Sequence, residues 1–138
     1  MSNNIDPTSD QFSAMFKLPT DQKIWMLNMI KLREKANYEN GDDVTGADAY
    51  ATYSSKTEEF FKGVGGRIVW SGTPQLVLIG PADEQWDLCF VAEYPNAVAF
   101  GEMVQNPGYQ AIVHHRQAAV EDSRLIRINP SEGGGAFG

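Results

Sequence analysis

Residues 23–33 alternate in character and are rich in Ile, Leu and Met, a period of two that predicts a β-strand despite the weak strand preference of methionine. Met26, Asn28, Ile30 and Leu32 fall on one face, and Trp25, Leu27, Met29 and Lys31 on the other. Asn28 therefore puts an amide on an otherwise apolar face. After the turn-rich Asn40-Gly41-Asp42-Asp43 the period lengthens. Thr45 is placed to cap a helix over 46–62, whose apolar stripe is Ala47, Tyr50, Tyr53, Thr57, Phe60, Phe61 and Val64; Gly63, Gly65 and Gly66 end it. Residues 67–79 read as strand on both sides of a break at Gly72-Thr73-Pro74, where proline suits a bulge or an edge. A turn at Pro81-Ala82-Asp83 leads to a strand over 87–94. Asn96 then caps a helix to about Val104, and Asn106-Pro107 restarts it. Residues 124–129 form a last short strand. The order is β-α-β-β-α-β, an α+β, ferredoxin-like pattern with an antiparallel sheet.

Outside this pattern lie the two ends. In the first twenty residues Phe12, Met15, Phe16 and Leu18 are spaced for a short helix that Pro19 stops. Residues 130–138 are Gly-rich, with almost nothing to bury, and are expected to be mobile or to lie on a neighbour. The expected organisation is an extension over 1–21, one domain over 22–129 and a flexible tail over 130–138.

Composition narrows the partners. A chain of 138 residues with 42% hydrophobic residues can bury one core, and 18 acidic against 11 scattered basic residues, net charge −7, disfavour nucleic acid and anionic membrane surfaces. No apolar run reaches the roughly 20 residues of a membrane span, and the start of the chain lacks the pattern of a signal peptide, so a cytoplasmic protein is expected. The single cysteine, Cys89, excludes an intrachain disulfide and a thiolate metal cage, and within Leu88-Cys89-Phe90-Val91-Ala92 it reads as a small hydrophobe.

The candidate chemistry is concentrated in His114, His115, Arg116, Asp122 and Arg124. On a helix from Pro107, Tyr109, Ile112, Val113, Arg116 and Val120 share one stripe, whereas His114 falls on the solvated side. His115 lies at the boundary above Ala111; it is a general base or a donor to an anionic ligand, or else a structural partner of Asp122. Arg116, among apolar neighbours, must pair with a carboxylate such as Asp122 or Glu93, or hold a ligand carboxylate. Adjacent helical histidines point about 100° apart, so His114 and His115 do not make a metal site together. No metal and no cofactor are expected.

The blocks Trp25-Met26-Leu27-Asn28, Gly65-Gly66-Arg67, Glu93-Tyr94-Pro95, and Asn106-Pro107-Gly108-Tyr109-Gln110-Ala111-Ile112 through Asp122-Ser123-Arg124-Leu125-Ile126 stand in an order that resembles the bacterial domain-of-unknown-function family thirteen-thirty, of the dimeric α+β barrel superfamily. The resemblance spans roughly residues 22–129. It implies a two-subunit barrel and no assigned activity. A pocket is expected between sheet and helices, bordered by Asn28, Tyr50, Tyr53, His115 and Arg116, with Asp122 and Arg124 as further ligand-binding candidates. Two functions stay open: a cofactor-independent enzyme acting on a small anionic organic molecule, with His115 and Arg116 catalytic, or a non-catalytic small-ligand-binding or structural homodimer. A carboxylate partner for Arg116 would favour the second.

Overall fold

Strand β1 (Ile24–Leu32) forms the centre of a four-stranded antiparallel sheet, because both its neighbours hydrogen-bond to it along most of its length. On one side lies β3 (Leu88–Tyr94), on the other β4 (Val120–Ile128); β2 (Arg67–Gly72) pairs with β3, giving the order β2-β3-β1-β4. This computed structural model describes residues 3–131, 133 and 135–137. Helix α1 (Ser9–Met15) precedes β1, α2 (Gly46–Gly63) connects β1 to β2, and α3 (Ala97–Gln105), α4 (Pro107–Gln110) and α5 (His114–Ala119) connect β3 to β4. Element order and strand order together make a ferredoxin-like α+β fold, as the periodicity predicts.

The two faces of β1 meet different surroundings. Ile24, Met26 and Ile30 are fully buried beneath the helices, in two apolar clusters, one around Tyr94, Phe100 and Met103 and one around Ala49, Ala118 and Ala119. Asn28 falls between them in sequence, and its amide donates to the carbonyl of Met26 at 3.0 Å. On the opposite face, register places Leu27 beside Val91 and Ile126, and Trp70 beside Val91. Among the described residues, neither of the two clusters takes in a residue of this face. Trp70 and Ile126 are about half exposed there, 49% and 46%. Cys89, half-buried opposite Met29 and Gly72, shares it, and burial pushes its thiol pKa up.

Several elements depart from the pattern in the sequence. Helix α1 starts at Ser9, earlier than the apolar spacing suggests, because Thr8 and Gln11 form a reciprocal capping box. In α2 it is Ala49 that is buried and Ala47 that is exposed, since the first turn packs against Arg33 and the α5 alanines rather than over the sheet. Strand β2 ends at Gly72, and residues 73–79 join no strand among the described residues: Pro74 has no N–H to donate to a ladder. Leu76, Leu78 and Ile79 are left 79%, 83% and 94% exposed. The helix after Pro107 is broken at 111–113, and β4 begins at Val120, four residues before the expected strand, with a bulge opposite Lys31 and Leu32. Asp122 and Arg124 are therefore both strand residues. The expected tail falls partly on Glu132, Gly134 and Gly138, and the expected extension on Met1 and Ser2, all outside the described residues.

Among the described residues no helix is long and apolar enough to cross a membrane. At the N-terminal side, Phe12, Met15 and Phe16 pack on the larger cluster, and Arg127 of β4 donates to the carbonyl of Met15 at 2.7 Å.

Among the described glycines, Gly46 has the least room for a side chain. A methyl group there would sit 2.0 Å from the carbonyl oxygen of Arg33, a backbone atom that cannot swing aside. Gly46→Ala is expected to cost about 3 kcal/mol of stability, at the upper end of ordinary overpacking. A chemical denaturation midpoint equal to that of the parent would show that the contact yields freely.

Candidate functional site

The segment 33–46 leaves the end of β1 and returns as the start of α2, and four backbone bonds fix its shape. Arg33 N donates to the Ala119 carbonyl and Asn37 N to the Ala118 carbonyl, both at 2.8 Å; Ala36 N donates to Val44 at 2.9 Å and Gly46 N to Glu34 at 3.3 Å. The first two tie the loop to α5, the last two close it on itself. Its turn passes through Gly41, whose φ of 76° suits glycine. At the helix end, Thr45 Oγ1 accepts from Asp48 N at 3.0 Å and caps α2.

Pinned in this way, Tyr38 lies over α5. Its hydroxyl is 2.6 Å from His115 Nδ1, and the ring meets the imidazole edge-on with centroids 5.6 Å apart. The pair lies in an open cavity of about 400 Å³ whose walls include Asp42, Asp48, Thr52 and His114. Partial burial, followed by electrostatic repulsion from His114 and Lys56, holds the His115 pKa below the ordinary imidazole value. Burial and the charge of Asp42 push the Tyr38 hydroxyl up. At neutral pH the pair is thus a protonated phenol and a neutral imidazole, with the phenol donating to Nδ1 when Nε2 carries the ring proton. Such a pair can accept a proton from a bound molecule and return it. The rings of His114 and His115 lie 4.1 Å apart and tilted by 36°, closer than the helical offset of adjacent residues suggests, because both turn toward Tyr38. Among the described residues no group of three His, Cys, Asp or Glu is arranged to hold a metal ion.

Of the residues singled out from sequence, His114 and His115 line this cavity, and it is His115 that meets the Tyr38 hydroxyl. Arg116 donates to the Ile5 carbonyl and, at 3.2 Å, to Ser123 Oγ, and among the described residues it has no carboxylate partner. Tyr53 and Tyr109 share a hydrogen bond of 2.7 Å between their hydroxyls, and Tyr50 stacks on Tyr53 with centroids 5.5 Å apart. Burial pushes the Tyr50 and Tyr109 hydroxyls above the ordinary phenol range, and the Arg116 guanidinium pulls against that rise. Asn28 uses its amide on its own strand. Asp122 and Arg124 pair with each other at 2.9 Å; Arg124 also approaches Glu84 and lies over Trp86. Burial raises the Asp122 pKa, but hydrogen bonds from Asn4, Arg124 and Ser123 outweigh it and hold the carboxyl low. Glu93, the other partner considered for Arg116, accepts instead from Arg67 Nε and Trp25 Nε1, both at 2.8 Å, and those two bonds lower its pKa.

Tyr38 is absent from the sequence-derived set. The available signal was its being the sole aromatic residue between the end of β1 and the cap of α2. Nothing in the sequence, however, ties that loop to α5.

Residues 40–128 match the family described as Domain of unknown function (DUF1330). Among solved structures, the RPA0582 protein of unknown function from Rhodopseudomonas palustris is 46% identical, with 95% of this chain and 99% of that chain covered and a TM-score of 0.91. The methylated RPA0582 protein is 47% identical, covering 98% and 100%, with a TM-score of 0.93. SnoaB, a cofactor-independent oxygenase from Streptomyces nogalater, is 14% identical over 80% of this chain and 95% of that chain, with a TM-score of 0.52, a likeness of fold alone. No curated protein matches. The match of more than half the chain, together with the shared fold, shows that this chain belongs to the Domain of unknown function (DUF1330) family.

Proposed function

We propose that the protein is a cofactor-independent enzyme that moves a proton within a small organic acid, in the cavity over α5. The single observation that carries this reading is the 2.6 Å contact between the Tyr38 hydroxyl and His115 Nδ1 in a cavity of about 400 Å³. A proton bound to an acidified carbon of the substrate passes to Tyr38 Oη as the tyrosine proton passes to His115 Nδ1. The imidazolium so formed returns a proton to a second substrate atom along the same path. One bond to hydrogen breaks and another forms, and no electron is gained or lost. SnoaB shows the fold carrying chemistry without a cofactor, but fold does not choose a reaction, so the proposal rests on the pair.

A second observation favours a homodimer. Among the described residues, the sheet face bearing Leu27, Trp70 and Ile126 joins neither cluster beneath the helices, and Leu76, Leu78 and Ile79, beyond the edge strand, are exposed. A second copy covering that face would bury both. Light scattering is expected to give twice the mass of one chain at micromolar concentration; a particle of single-chain mass would overturn the dimer.

Two measurements test the catalytic reading. The His115 ring proton resonance is expected to titrate with a midpoint below 6.5, the ordinary value. Since the folded pKa is the lower one, the unfolded chain binds more protons between the two values. Stability from this group is complete above pH 6.5 and is lost as pH falls toward the folded midpoint. A midpoint at or above 6.5 contradicts a neutral base. In heavy water, pyruvate or acetoacetate is expected to exchange its carbon-bound protons faster with the protein than in buffer. Tyr38→Phe and His115→Ala should each slow that exchange by about 100-fold or more. Exchange at the buffer rate for both acids would sink the proposal.

A further inference from the structure

A second cleft, of about 340 Å³, adjoins the first and shares Tyr38 and Asp42 as lining. Its chemistry is different. Arg33 and Lys35 line it, with Ala36 and Asn37, where the first cavity has His114, His115 and the carboxylates of Glu39, Asp42 and Asp48. Arg33 Nε is buried and donates to nothing among the described residues, although guanidinium N–H groups removed from water are ordinarily paired. The charged partners near the cleft do not use it: Lys35 approaches Asp43 at 3.8 Å, in a pair whose side chains are 63% and 93% exposed and therefore weakly bound. Among the described residues that line the cleft, Asp42 is the one carboxylate, against two cations.

We propose that this cleft binds the carboxylate group of the substrate, with Arg33 and Lys35 as its cationic partners, while the uncharged, reacting end of the same molecule lies against Tyr38 and His115. The inference deepens the function proposed above and rests on it for the reacting end. It also resolves a conflict within that reading. Three carboxylates around the first cavity repel an anion, and Arg116, the residue expected from sequence to hold the acid, is engaged by Ile5 and Ser123. A substrate with charge at one end and none at the other satisfies both clefts. The class so defined is a small organic acid with a carbonyl-activated carbon beyond its carboxylate. Arginine suits the charged end because its two terminal nitrogens can grip a carboxylate with two parallel hydrogen bonds.

The test uses pyruvate as probe and the Arg33 Nε–H resonance of the intact, nitrogen-15-labelled protein as readout. Pyruvate is expected to shift that resonance saturably, whereas pyruvamide, or sodium chloride at the same ionic strength, leaves it in place. Arg33→Gln should weaken pyruvate binding by about tenfold or more, the loss of a charge-assisted pair. Lys35→Gln should weaken it less. If Arg33→Gln does not fold, the parent resonance and Lys35→Gln still decide. An Arg33 resonance unmoved by pyruvate, or moved equally by chloride, overturns the cleft. Pyruvate binding without proton exchange would support the cleft and overturn the catalytic reading alone.

Discussion

The two hydrogen bonds from Arg33 N to Ala119 and from Asn37 N to Ala118 are the constraint on which the candidate site depends. They pin the segment after β1 to the last turn of α5, an element of six residues too short to be stable alone. Small side chains make the approach possible. Ala36, Ala49, Ala118 and Ala119 are all buried there, and Gly46 lets the start of α2 touch the Arg33 backbone. With larger residues at these positions the loop would stand off, and Tyr38 would lose its reach to His115. The site is thus held chiefly by backbone and alanine contacts, with the functional side chains projecting from that support.

The fold was legible because its signals are local and periodic. The alternation over β1, Thr45 as cap of α2, and Asn96 and Asn106 as caps of α3 and α4 each act within a few residues, and each appears in the structure. What periodicity could not show was where a pattern stops for want of a partner. Residues 73–79 have the composition of a strand but no ladder to join, and Val120 reads as helix because the break at 111–113 leaves no proline or glycine mark. Of the site, His115 was legible as a boundary histidine. Tyr38 was not, since its pairing with His115 spans 77 positions and is created by hydrogen bonds from backbone atoms, which carry no side-chain signature.

Arg116 shows the same limit from another direction. A cation on an apolar stripe calls for a partner, and sequence suggests carboxylates because these are the obvious counter-charges. The structure uses the carbonyl of Ile5 and the hydroxyl of Ser123, which itself donates to the Asn4 carbonyl at 2.7 Å. Arg116 thereby holds the segment before α1 against β4, while Asp122 receives Asn4 N at 2.9 Å. The polar residues of this region form a clasp for the start of the chain, and a carboxylate partner is unnecessary when neutral oxygens satisfy the donors.

Pro74 gives the edge of the sheet a further property. Beyond β2 lie Gln75, Leu76, Val77, Leu78 and Ile79, a run with the composition of an aggregation-prone strand on the free side of an edge. A proline at the junction breaks the row of donors that a second extended chain would need to continue the β2 ladder. It acts as a gatekeeper: the apolar side chains remain available for packing, while indefinite strand-by-strand growth from the same edge is interrupted at its root.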